Sequence, residues 1–247
     1  MRASFELVRR DPELLWFPLI SACCLALTAA FWIFEEAWLY AVHGPWLLFI
    51  PFAAAGLYSL AFVAVFFSVA LVGSAAEAVD GGEPSLADGI NIAWARLGGI
   101  AGWAAYSIFV AFIIGVVSSI KGLRWVGKAA EVSWDFATIF VVPLIALEGL
   151  DARTARARSF ELVKGDWRAE SGGLAALRAA WLLPGLLFFL DAKLLFSGHV
   201  HSLAAKSVLG LVLLCGFALA TAVGVVRQVF AVELYRASTG DAAAAAA

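Results

Sequence analysis

Residues 14–34 carry no charged side chain, and neither do residues 46–72. About 20 mainly apolar residues in a helix cross the ~30 Å hydrocarbon layer of a bilayer. Within that layer only a helix or a closed barrel satisfies every backbone N–H and C=O. These two runs restrict the chain to a membrane protein with helical spans before any other residue is read. Composition agrees, with 63% hydrophobic residues, 15% charged residues and a mean hydropathy of +0.92. A soluble domain carries about 25% charged residues.

Four further apolar runs, at residues 98–117, 133–147, 174–196 and 208–232, bring the expected number of spans to six. Pro51, Pro143 and Pro184 fall inside spans 2, 4 and 5, where proline bends or breaks a helix. Span 4 is the shortest. It has Asp135 near its start, where an acidic side chain caps a helix, and it ends at Glu148-Gly149. Small residues recur four apart at Gly98 and Gly102, at Gly115 and Ser119, and along Gly216, Ala220 and Gly224, a spacing that lets membrane helices approach closely.

The connectors show a repeat. Ser4-Phe-Glu-Leu-Val-Arg-Arg-Asp11 returns as Ser159-Phe-Glu-Leu-Val-Lys-Gly-Asp166, and a long apolar segment follows each copy. The octet alternates apolar and charged faces, as a helix lying in the membrane interface does, and Asp11 before Pro12 reads as the N-cap of span 1. Pro84 and Ser85 start a comparable stretch through Asn91 and Arg96, although its residues do not match the octet. The expected fold is therefore all-α and polytopic. Six transmembrane helices form three helical hairpins, each preceded by an interfacial amphipathic helix. One integral membrane domain covers residues 1–241, with pseudo-repeats at about 1–76, 77–150 and 151–236 related by approximate threefold pseudosymmetry, and a poly-Ala tail occupies 242–247.

Lysine and arginine set the orientation. With the N-terminus in the cytoplasm, twelve of them fall on that side and five on the other, which places both termini inside by the positive-inside rule. The expected location is a cytoplasmic (inner) membrane. No small-x-small cleavage pattern follows the first apolar run, so it reads as a retained span.

Thr138-x-x-Val141-Val-Pro143-x-Ile145-Ala-x-Glu148-Gly149, followed by Arg156-x-Arg158-Ser159-x-x-Leu162-Val-Lys164-x-x-Trp167, resembles the signature of an uncharacterised family of prokaryotic multi-span membrane proteins, a domain of unknown function. Ser4-Phe-x-Leu7-Val-x-x-Asp11-Pro-x-Leu14 is similar to the start of that family. A looser basic-Ser-x-x-Leu pattern resembles the membrane domain that accompanies some glycerophosphodiester phosphodiesterases, whose catalytic domain this chain lacks. The resemblance covers about residues 4–236. It implies the multi-span architecture and supplies no chemistry.

Two groups of residues are candidate sites. Asp135, Asp191 and Lys193 are charged groups in or near spans, where a central charge costs about 2.5–3.5 kcal/mol on insertion scales. They are either an intramembrane cation or proton site or ordinary charges at span ends. Glu148, Arg153, Arg156 and Arg158 lie where the fourth span meets the cytoplasmic interface. They suit anionic lipid headgroups or an acidic partner, or simple anchoring with a Glu148–Arg ion pair. Arg153 and Arg156 are three apart and share a helix face, whereas Arg158 is turned aside. His199 and His201 lack further ligands for a metal. Cys23, Cys24 and Cys215 lie in apolar runs and read as small packing residues.

No phosphate-binding loop, nucleophile elbow, zinc motif or dinucleotide fingerprint is present, and a net charge of −2 gives no case for nucleic acid. We therefore expect no enzyme activity, cofactor or metal. Membrane lipids are the expected partners, with other membrane subunits or a second copy beside them. Two functional readings follow: a structural, accessory or lipid-organising protein, or a small transporter or channel for a hydrophobic or lipid-like substrate.

Overall fold

The computed structural model describes residues 11–163 and 223–237, together with positions 186, 190, 212, 216, 219 and 220. Every regular element among them is helical. A 3-10 turn at Pro12–Leu15 leads into α1, Trp16–Ala41. Asp11 precedes that turn, but its side chain makes no capping bond, which corrects the expected cap. A single 3-10 turn already satisfies its few backbone groups through Leu14 N–H to Asp11 C=O.

The C-terminus of α1 is closed by backbone geometry. His43 is left-handed, with φ 53°, a region that His tolerates better than bulkier residues. The next N–H, that of Gly44, returns to the Leu39 carbonyl at 2.9 Å, which is the Schellman closure of a helix C-terminus. α2, Trp46–Val79, then packs along α1, with Gly56 against the Trp32 ring. Pro51 lies in its second turn without interrupting it. Gly81 (φ 86°) and the bond from Gly82 N–H to the Glu77 carbonyl end α2 in the same way. After Pro84, Ser85 caps α3, Leu86–Ala95, by accepting from the Asp88 N–H. This is the helix start read from Pro84 and Ser85.

α3 is held tightly under α2. A Cβ on Gly89 would lie 2.5 Å from the Ala70 carbonyl and 2.6 Å from the Phe17 ring, so only glycine permits this approach. α4, Leu97–Ser119, leaves at Arg96. α5, Arg124–Ala137, returns along it, with Gly127 against Ser118 and Trp134 stacked on Trp103 at 5.7 Å.

The fourth apolar run departs from expectation. Its helix starts at Arg124 rather than near residue 133, and it breaks at residues 138–140. Asp135 therefore sits in the last turn of α5 and not at a helix start. After the break the chain forms α6, a short helix at Val141–Pro143 that widens into a π-turn at Leu144–Glu148. Pro143 has no N–H to donate, and i→i+5 bonding is the local answer at the C-terminal side. The Leu144 carbonyl accepts from both Gly149 and Leu150 N–H groups. A helix at residues 152–163 (α7) and the final described helix at 223–237 (α8) complete the set.

Packing concentrates at one end of these helices. Leu14, Phe17, Val69, Val72, Ile100, Phe140, Val141, Leu144, Ile145, Val225, Val229 and Val232 are fully buried there. At the opposite end Leu27, Phe34, Tyr40, Trp46, Phe112 and Trp125 are exposed, Leu27 to 72%. Water would penalise such a surface, whereas lipid tails are as apolar as the side chains themselves. Among the described residues, four stretches are long and apolar enough to span a membrane: Glu13–Ala41, Trp46–Val79, Leu97–Ser119 and Arg124–Glu148. The expected spans 5 and 6 lie outside the described residues except for the single positions 186, 190, 212, 216, 219 and 220 and for the start of α8, and so do most of the octet at residues 4–11 and the poly-Ala tail.

Candidate membrane-interface site

The tightly packed end of the bundle also gathers its polar groups. Asp80, just past α2, pairs with Arg236 on α8. Tyr235, one residue before, donates to Glu148 Oε1. The Arg96 guanidinium lies over Gly149, where the α6 carbonyls end and a cation is favourable. Its Nε is buried without a hydrogen-bond partner among the described residues, as is the Ser74 hydroxyl. Burial and the hydrogen bond to the Glu148 carboxylate push the Tyr235 phenol up to about 12, against a weaker opposing effect of Arg236 and Arg158.

α7 begins at this end. Asp151 caps it by accepting from the Arg153 N–H at 3.2 Å. The Thr154 side chain bonds the same carboxyl and, with the backbone N–H groups, holds it below the ordinary carboxylate value. α7 lies close to α4 because Gly102 faces Ala152, with room for a Cβ only at 3.2 Å. Beside that contact opens a cavity of about 270 Å³, bordered by Gly102, Tyr106, Ala152, Arg153 and Arg156.

Arg156 reaches Tyr106 in two ways. Its Nη1 donates to the phenol oxygen, and its guanidinium carbon stands 4.7 Å from the ring centroid. Tyr106 belongs to a three-ring cluster with Trp103 and Trp134, whose centroids lie 5.7–6.0 Å apart. A cation over such a ring is attracted by its quadrupole, so the cluster fixes Arg156 in place. Arg153 is exposed at the mouth of the cavity, and among the described residues no carboxylate pairs with either arginine. Two cations border one small cavity, and no carboxylate lies among its described lining residues.

The residues singled out from the sequence separate here. Arg153 and Arg156 come together on one face, whereas Arg158 is exposed on the side toward Tyr235. Glu148 gives its carboxylate to Tyr235 instead of an arginine, which corrects the expected ion pair. Asp135 is half-buried in α5 and is engaged in an interaction of its own. Asp191, Lys193, His199 and His201 lie outside the described residues. Sequence reasoning missed Tyr106 and Tyr235. The spacing Gly102 to Tyr106, one helical turn, was the available signal for the first, since it puts the ring beside the gap that glycine leaves.

A model for a family of unknown function, DUF6159, matches residues 52–244, more than three quarters of the chain. The chain belongs to the DUF6159 family. The DUF6159 match includes Tyr106, Glu148, the α7 arginines and Tyr235, and it starts after α1. No curated protein and no solved structure matches the chain.

Proposed function

We propose that this DUF6159 member is a non-catalytic, lipid-organising membrane protein, an accessory component that holds anionic phospholipid at the cytoplasmic face of a prokaryotic inner membrane. The observation that carries this reading is the cavity shared by Arg153, Arg156 and Tyr106. Guanidinium groups bind phosphate oxygens through paired, charge-assisted N–H donors. Near a membrane surface each basic residue adds about 1 kcal/mol of attraction to anionic lipid. The Tyr106 contact keeps Arg156 ordered, which lowers the entropy lost when a headgroup docks. The reading takes the full architecture as six spans in three hairpins.

A second reading, transport of a lipid-like substrate, draws on the break at residues 138–140. Discontinuous helices line substrate sites in many transporters.

The test is purification from native membranes in a mild detergent or native nanodiscs, with mass spectrometry of proteins and lipids. Anionic phospholipid retained by the wild type and lost from Arg153→Gln/Arg156→Gln supports lipid organisation. A stoichiometric protein partner with no retained lipid would replace it with a purely accessory role. Uptake of a lipid analogue by reconstituted vesicles would favour transport.

A further inference from the structure

The border of the Arg153–Arg156 cavity offers hydrogen-bond donors and no free acceptor. Gly102 and Ala152 bring no polar side chain to it. A guanidinium only donates, whereas a phenol both donates and accepts. The Tyr106 oxygen already accepts from Arg156 Nη1, and its O–H has no acceptor among the described residues. The Arg153 side chain has no partner there either. Two guanidiniums and one phenolic O–H are what the cavity presents.

Asp151 is the carboxylate nearest in sequence, and it is engaged elsewhere. It accepts from the Arg153 N–H at 3.2 Å and bonds the Thr154 side chain. Among the described residues it forms no ion pair with either guanidinium. Both positive charges stand uncompensated near the N-terminus of α7, an end that itself favours an anion.

A ligand for such a border must accept hydrogen bonds and donate none. An ammonium headgroup is repelled by the guanidiniums. A glycerol or sugar headgroup brings hydroxyl protons that find no acceptor side chain, and an unmet donor taken out of water costs free energy. A phosphodiester loses a free oxygen to its second ester link and stays a monoanion. A terminal phosphate keeps three strong acceptor oxygens and carries a charge of about −1.5 to −2 at pH 7. It meets every donor side chain at the border and balances both cations.

We infer that the cavity selects a phosphomonoester, with Arg153 and Arg156 on its charged oxygens and the Tyr106 O–H as a further donor. Tyr106 sets the selectivity because it adds a donor without adding charge. This selectivity rests on the headgroup reading, which asks only for an anion, and narrows that anion to a terminal phosphate. The group has two sources: a diacylglycerol phosphate in the membrane, or a soluble phosphomonoester.

The experiment uses the full chain in phosphatidylcholine nanodiscs doped in turn with diacylglycerol phosphate, phosphatidylglycerol or cardiolipin of matched acyl chains. Cardiolipin is a double phosphodiester, so it supplies the charge without a terminal phosphate. Native mass spectrometry reads the lipid retained. The wild type is expected to keep diacylglycerol phosphate several-fold better than either diester lipid, a comparison that needs no variant to fold. Tyr106→Phe should erase that difference while all three lipids stay above phosphatidylcholine. Arg153→Gln, a change at an exposed side chain, should lower retention of all three several-fold. Calorimetry with glycerol 3-phosphate in undoped nanodiscs distinguishes the sources. Binding that is lost in Tyr106→Phe assigns the site to soluble phosphomonoesters, and selective lipid retention without it assigns the site to the membrane. Equal retention of terminal-phosphate and diester lipids, with no binding of glycerol 3-phosphate, overturns the phosphomonoester and leaves the anionic-headgroup reading standing. Absence of any anionic preference, again with no binding of glycerol 3-phosphate, overturns both. Selectivity that survives Tyr106→Phe overturns the role given to the phenol.

Discussion

Ser159 on α7 holds the backbone of Phe140 across the break in the fourth span: its fully buried hydroxyl accepts from the Phe140 N–H at 3.3 Å and donates to the Ala137 carbonyl at 2.7 Å. A broken helix leaves backbone donors and acceptors without helical partners, and one side chain from another helix meets one on each side of the gap. The same serine opens the second copy of the repeated octet.

Ser159→Ala should therefore lower stability by about 1–3 kcal/mol, the cost of leaving a buried backbone group unmet. Thermal unfolding in detergent is the measurement. The drop should be accompanied by faster proteolysis near residues 137–140. An unchanged melting temperature would show that the break is held by other contacts.

Gly149 is left-handed, with φ 70°, and a Cβ there would overlap the Arg96 guanidinium. Left-handed backbone costs a residue with a Cβ roughly 1–2 kcal/mol. Gly149→Ala should destabilise by at least this much and displace Arg96 from the α6 carbonyl end. Gly115→Ala on α4, where nothing lies within 4 Å of the added Cβ, should be neutral or gain roughly 0.5–1 kcal/mol. Parallel melting curves of the two variants check the contrast.

Tyr235 has its phenol pushed up to about 12 from an ordinary value of 10.0. The folded state thus holds this proton more tightly than the unfolded state. Its contribution to stability is complete below pH 10 and is lost as pH rises toward 12. A tyrosinate absorbance titration should show a step near pH 12 that vanishes in Tyr235→Phe. The same variant should remove the stability loss in that window. A step that persists in Tyr235→Phe would belong to another tyrosine and contradict the assignment to Tyr235.

The spans were legible because bilayer thickness fixes the length of an apolar run, and α1, α2 and α4 lie where those runs predict them. Their ends were less so. The first uncharged run stops at residue 34, before Glu35 and Glu36, yet α1 continues to Ala41 and closes only through the backbone of His43 and Gly44. Likewise α2 runs beyond residue 72 to Val79, since Ser74, Ala75 and Ala76 are as helical as they are small. The break at 138–140 had no local signal apart from nearby Pro143, because what stabilises it is Ser159, some twenty residues away. Asp135 was misread as a cap for the same reason: the helix that contains it starts in the polar loop before the apolar run. The shared face of Arg153 and Arg156 followed from their spacing, but the cavity depends on Gly102 and Tyr106, from a different span.

The central claim, that Arg153 and Arg156 hold an anionic headgroup, is tested most directly by native mass spectrometry of the protein released from nanodiscs containing equal anionic and zwitterionic phospholipid. The account predicts that the wild type retains the anionic lipid preferentially. Arg153→Glu/Arg156→Glu should abolish the preference, and Arg153→Glu alone should weaken it with the melting temperature nearly unchanged, because exposed Arg153 has no carboxylate partner among the described residues to lose, whereas Arg156 also gives up its Tyr106 contacts. Equal retention of both lipids by the wild type, or a preference that survives charge reversal, would contradict it.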